Sequence, residues 1–163
     1  MKVEFNITGI PGIIRTLSSL PAEVVSKKGG PVKLALSKGA RSLRDRAKEN
    51  FRRSVAINGA ASTDTTVNYI IASRGQAPTG TNGERYLVRV KRKDFINANG
   101  SRTNTRKVAQ LMEYGSSTQP AYPWLRPSVT RYGSETIDIV TEDLVKRLDQ
   151  ITKRLSAQNK GKG

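Results

Sequence analysis

Two sets of side chains in this sequence have the types and spacing to do chemistry. Glu135, Asp138, Glu142 and Asp143 crowd four carboxyl groups into one short stretch, the material of an all-oxygen cation site. Arg85, Arg89, Lys91, Arg92, Lys93, Arg102, Arg106 and Lys107 lie in a stretch whose one acid is Asp94. Such a run suits contact with phosphates or with an acidic protein surface.

The carboxyl groups make the weaker case. On a helix, positions 135, 138, 142 and 143 fall on mixed faces, and acids early in a helix are explained by its dipole. The chain has no histidine and no cysteine. That removes the usual general base near neutral pH, the commonest metal ligand, the thiolate nucleophile and any disulfide framework. The glycine-rich loops GxGxxG and GxxxxGK[ST] that cradle phosphates are missing too. The expectation is a protein that is not an enzyme and carries no cofactor and no metal.

The cations make the stronger case, because 29 basic residues against 13 acids leave a net charge of +16. In RYLVRVKRK, residues 85–93, the alternation puts Tyr86, Val88 and Val90 on one face of a strand and Arg89, Lys91 and Lys93 on the other. Side chains on one side of a strand repeat every ~6.6–6.8 Å, so Arg85, Arg89, Lys91, Arg92 and Lys93 are candidates for a basic contact stripe. Aromatic residues interleave with the run only at Tyr86 and Phe95, which leaves little for base stacking. A solvated face, a nucleic-acid contact and an acidic partner subunit all remain open.

A third feature is structural in kind. LMEYGSSTQPAYPWLRPSV, residues 111–129, holds the only tryptophan along with Pro120, Pro123 and Pro127. Each proline fixes its own φ and pushes its predecessor toward extended geometry. Residues 119–127 are therefore stiff before anything binds them, and a stiff segment loses less entropy on docking. Tyr122 and Trp124 are of types enriched at interface hot spots; Trp124 and Leu125 equally suit the end of the domain's own core.

The elements that must position these groups follow from periodicity. Val3, Phe5 and Ile7 alternate as a strand, and Ile13, Ile14, Leu17 and Leu20 step as a short helix. Gly29-Gly30-Pro31 breaks the chain. Val32, Ala35, Leu36, Gly39, Ala40, Leu43 and Ala47 then predict a helix whose mostly small stripe lies close to its neighbour. Residues 54–66 and 94–106 read as polar loops, ordered only by neighbours. Val67–Ala72 and Arg85–Lys93 read as paired strands, Lys107–Tyr114 as a short helix or strand, and Ser128 onward as a long helix. One domain over 1–155, with a flexible basic tail at 156–163, accounts for the length. No stretch approaches the ~20 apolar residues of a membrane span.

EYGSSTQPAYPWLRPSV resembles the signature of the tail-completion and head–tail joining (neck) proteins of long-tailed bacteriophages, the family that includes minor tail protein Z of phage lambda. Glu113, Tyr114, Gly115 and Ser116 match its turn. Pro120, Ala121, Pro123, Trp124, Leu125, Arg126 and Pro127 match its second half, with tryptophan where phenylalanine is commoner. ALSKGARSLRDRAKENF, residues 35–51, is similar to the family's first long helix, whereas residues 52–66 depart from its pattern.

The resemblance implies an α+β subunit in which a small antiparallel sheet is packed by a long N-terminal and a long C-terminal helix. It implies a virion protein, assembled in the host cytoplasm. Such a protein forms a homo-oligomeric ring, expected to be a hexamer, that completes or terminates the tail tube and joins it to the head. Its partners would be the tail tube protein and a head-side connector or stopper, with non-specific contact to passing DNA and no membrane. Glu113, Tyr114, Gly115, Pro120, Tyr122, Pro123, Trp124, Arg126 and Pro127 are the candidate subunit or ring interface. The alternative is a basic nucleic-acid-binding protein of the host cytoplasm.

Overall fold

The computed structural model describes residues 30–59, 64–76, 79 and 83–160. The strand expected through Val3, Phe5 and Ile7 and the short helix expected through Ile13, Ile14, Leu17 and Leu20 lie outside them. Helix α1 (Pro31–Ile57) starts where the glycine–proline break predicts, with Gly30 as its N-cap and proline in the first turn. Proline suits that place because its missing N–H would have no helical partner there. Ala35, Gly39, Leu43, Ala47 and Phe51 form its buried stripe, one residue per helical turn. The stripe meets α4 (Leu125–Lys160), the longest element, which begins three residues before the expected start. At Gly39 the two helices are so close that a Cβ would strike the Val140 side chain and lie 3.2 Å from the Thr136 carbonyl oxygen. The small residues thus set the spacing between the helices.

Along the chain, two short antiparallel ladders separate the long helices. Strands β1 (Ile70–Arg74) and β2 (Tyr86–Val90) pair in the register Ile70↔Val90 to Arg74↔Tyr86. Strands β3 (Asp94–Ile96) and β4 (Arg102–Asn104) pair as a hairpin, and α3 (Thr105–Tyr114) follows directly. The architecture is α+β, with small antiparallel sheets packed by the two long helices. Ile70, Val88 and Val90 join Leu43, Ala47, Phe51 and Val55 of α1, Ala109 and Met112 of α3, and Trp124 and Leu125 in one core.

Three expectations are corrected. The stretch 54–66 is not all loop: α1 runs to Ile57, and its Ser54 and Val55 are buried. The strand expected at 67–72 begins at Ile70, because α2 (Thr65–Asn68) is a single helical turn with Thr66 and Val67 buried. Burial of those β-branched side chains overrides their strand preference. The polar stretch 94–106 is the β3–β4 hairpin and the start of α3. Asn97 shapes its tip, its Oδ1 accepting from the N–H groups of Asn99 at 3.1 Å and Ser101 at 2.8 Å. At the other end, α4 continues to Lys160, into the stretch read as a tail.

Of the crowded carboxyl groups, Asp143 turns inward against α1 and is 7% exposed. It accepts from Arg147 one turn along α4 and from Lys38 of α1 at 3.0 Å. The Arg147 hydrogen bond, with Lys38 assisting, holds its carboxyl below the usual carboxylate range against the opposing effect of burial. A lowered folded pKa stabilises the fold fully above the unfolded value, ~3.9, and the contribution is lost as pH falls through the folded value. The gap in Tm between the native chain and Asp143→Asn is therefore expected to be steady down to about pH 5 and to shrink below about pH 4. A gap unchanged to pH 2 would show that Asp143 does not carry this linkage.

Candidate functional site

The proline-rich stretch is built on the end of α3. Gly115 closes that helix at φ 72°, donating its N–H to the Leu111 carbonyl at 2.8 Å. A Cβ there would lie 2.7 Å from the Gln119 carbonyl oxygen and 2.8 Å from the Ala121 nitrogen. Both the positive φ and the crowding require glycine. The chain then folds back over its own helix. Ser116 N–H donates to the Gln119 carbonyl at 2.8 Å, Gln119 N–H to the Ser116 hydroxyl at 3.1 Å, and Tyr122 N–H to the Met112 carbonyl at 2.8 Å.

Glu113 fixes the far end. Its carboxylate, wholly buried, accepts the backbone N–H groups of Trp124 and Leu125 at 2.8 Å each and of Arg126 at 3.1 Å. A helix leaves its first N–H groups without internal partners. Here a side chain from the preceding helix takes those of Leu125 and Arg126, and Pro127 has none to satisfy. The negative group also sits at the positive end of the α4 dipole. Arg126 closes the arrangement, its Nε donating to Glu113 Oε1 at 2.9 Å and its Nη2 to the Glu113 carbonyl at 3.1 Å. Its guanidinium lies 5.3 Å from the centre of the Tyr114 ring.

Trp124 lies beneath. It is 0% exposed, meets Phe51 edge-on with ring centres 5.2 Å apart, and donates its Nε1–H to the Ala109 carbonyl at 3.0 Å. Two neighbouring polar links tie the segment to α1. Ser54 donates its hydroxyl to the Pro123 carbonyl at 3.1 Å, and Asn50 donates to the buried Ser128 hydroxyl at 2.8 Å, which itself donates to the Trp124 carbonyl. Asn50, Ser54 and Ser128 were not singled out by sequence. Their signal is polar residues at core spacing on otherwise apolar helix stripes.

The nine expected interface residues thus come together and then divide. Glu113 and Trp124 do not reach the subunit surface; they hold the segment from below, which corrects their placement at an interface. Gly115 is a turn and Pro127 lies in the first turn of α4. Tyr114, 56% exposed, stands with Pro120, Pro123 and Arg126 on the outside, and Tyr122 is half-buried against the core.

The basic stripe is less regular than the alternation implies. Strand β2 ends at Val90, so Arg89 alone of the three alternating cations lies in it. Lys91, Arg92 and Lys93 follow in irregular backbone held by α3. The wholly buried Thr105 donates its hydroxyl to the Lys91 carbonyl at 2.6 Å and accepts from the Lys93 N–H at 3.0 Å. Arg106 donates to the Val90 carbonyl at 3.1 Å. Arg92 pairs with Asp94 at 3.0 Å, Arg85 is half-buried, and Arg89, Lys91 and Lys93 are exposed. No group of histidine, cysteine or acidic residues able to hold a metal ion occurs among the described residues, and no helix among them is long and apolar enough to cross a membrane. The chain matches no protein-family profile, no curated protein and no solved structure.

Proposed function

We propose that this chain is a structural virion subunit of a tailed bacteriophage. Copies of it form a ring at the head–tail neck that completes or terminates the tail tube and joins it to the head. The observation that carries the reading is the 113–127 segment: a short exposed edge whose backbone is fixed by Glu113, Gly115 and Trp124 before any partner arrives. Such an edge docks at low entropic cost, and Tyr114 and Arg126 on it are of the types that dominate interface energetics. The likeness of this segment to the neck-protein signature names the partner class, a second copy together with the tail tube.

The test is mass measurement at several concentrations, alone and with tail tubes. The native chain is expected to assemble. Tyr114→Ala, at an exposed position, is expected to leave the thermal transition in place while weakening assembly about 30-fold, the loss of roughly 2 kcal/mol that marks a hot spot. A native chain that stays monomeric in every condition would overturn the reading.

The second reading, a nucleic-acid-binding protein, rests on Arg89, Lys91 and Lys93, which are exposed and have no ion-pair partner among the described residues. It requires affinity for any duplex that falls steeply with salt; a neck protein requires self-assembly or tube binding instead.

A further inference from the structure

We infer that the surface where residues 89–93 meet the start of α3 binds the phosphate backbone of a nucleic-acid duplex. The inference deepens the second reading above, on which it rests, and holds whether or not the chain forms rings.

The ion pairs of the subunit are unevenly shared. On α1, Lys38, Arg44, Arg46, Arg52 and Arg53 each reach an acid. On α4, the exposed Lys146 and Lys153 share one groove with Glu142 and Asp149, so the charge there is mixed. Between residues 89 and 107 the one acid is Asp94, and Arg92 takes it at 3.0 Å. Arg89, Lys91, Lys93, Arg102 and Lys107 are left exposed and without ion-pair partners among the described residues. Part of the +16 surplus is thus gathered where no acid is left to answer it.

The fold holds these cations together. Thr105 ties the Lys91 carbonyl and the Lys93 N–H to the first residue of α3, and its own N–H donates to the Lys93 carbonyl at 3.0 Å. Arg106 bonds the Val90 carbonyl, and the Lys107 N–H is capped by Asn104 at 3.0 Å. The backbone carrying Lys91 and Lys93 therefore lies against the turn carrying Arg106 and Lys107. Stability gives no reason for cations at that place. The first turn of α3 holds no acid, and the start of a helix favours anions over cations.

Spacing and neighbours name the partner. From Arg89 to Lys93 the chain spans at most ~13 Å at ~3.3 Å per residue. That is the length of about four phosphates along one strand of a duplex. No exposed aromatic ring accompanies the cations, since Tyr86 and Phe95 are both half-buried. A single strand is held by stacking its bases on such rings. A duplex keeps its bases inside and offers its phosphates, which is all that this surface can use.

The test is binding of the full chain to a mixed-sequence DNA duplex, and to one of its strands alone, across a salt series. The duplex is expected to bind more tightly, log K falling against log salt with a slope of about −4.5, as for about five phosphates. Lys91→Gln, Lys93→Gln and Lys107→Gln in one chain are expected to leave the thermal transition in place. They should bring the slope to about −2 and lower affinity at low salt by at least about tenfold. Lys146→Gln, Lys153→Gln and Arg154→Gln together remove the same charge from α4 and are expected to leave slope and affinity near native. A slope unmoved by the first variant would overturn this surface and leave the nucleic-acid reading standing. Tighter binding of the single strand would overturn the duplex as partner. Equal affinity for polyglutamate of matched charge would overturn it in favour of an acidic protein. A native chain with no salt-dependent affinity for either form of DNA would overturn both the inference and the reading beneath it.

Discussion

Glu113→Ala is expected to cost about 3–5 kcal/mol, the range found when one partner of a buried charged network is removed. The reason is the identity of the other partners. Three backbone N–H groups converge on this carboxylate, and backbone donors cannot be substituted away in compensation. Each buried donor left unsatisfied costs roughly 1–3 kcal/mol, less where water enters behind the shortened side chain. For a chain of this length the loss corresponds to a drop in Tm of roughly 10 °C. Glu113→Gln is expected to fall between, because its amide keeps one accepting oxygen and turns an NH2 toward donors. The only tryptophan is the next reporter along: once the cap is gone, emission from Trp124 should shift to the red and the amides of 124–126 should lose exchange protection. A Tm within 2 °C of the native value would mean that the start of α4 is held by something other than Glu113.

How legible this arrangement is in the sequence depends on whether the cause is local. The buried stripe of α1 can be read directly, because Ala35, Gly39, Leu43, Ala47 and Phe51 repeat at helical spacing and no other element competes for them. The break at Gly29-Gly30-Pro31 is equally local. The β3–β4 hairpin is hidden because each strand is only three residues long, too short to show an alternation, and β4 is polar throughout; its order comes from the Asn97 side chain and from Thr105 gripping Lys91 and Lys93. The single turn α2 is hidden because Thr65, Thr66 and Val67 have the composition of a strand, and only burial of Thr66 and Val67 decides otherwise.

The candidate site divides in the same way. The stiffness of 119–127 follows from its prolines, and its likeness to a signature marks the right residues. What spacing cannot tell is that Glu113 reaches eleven residues forward to cap another helix. Helix caps are usually supplied by the residue beside the first turn, so a lone glutamate before Tyr-Gly gives no hint of that reach. The tryptophan is ambiguous for a different reason. Its type is equally at home in a core or at an interface, and only the placement of Phe51 and Ala109 settles which.

Trp124→Ala is accordingly expected to destabilise the subunit itself rather than merely prevent its docking. Deleting a buried large aromatic costs about 3–5 kcal/mol, part from lost transfer energy and part from the cavity that remains. Here that cavity would open between Phe51 and α3, at the centre of the core cluster. Total stabilities of single domains are about 5–15 kcal/mol, so the variant should retain only a fraction of its margin and expose the segment above it. Trp124→Phe separates the terms. It keeps an aromatic edge for Phe51 and removes the Nε1–H donated to the Ala109 carbonyl, a hydrogen bond worth about 1 kcal/mol net. Denaturant unfolding followed by circular dichroism should therefore order the three chains as native, Trp124→Phe, then Trp124→Ala. If Trp124→Ala unfolded at the native midpoint and failed only in assembly, the indole would belong to the docking edge and its place in the core would be wrong. The same comparison guards the assembly test: Tyr114→Ala interrupts docking with the fold intact, whereas changes at Trp124 remove the platform on which the docking edge stands.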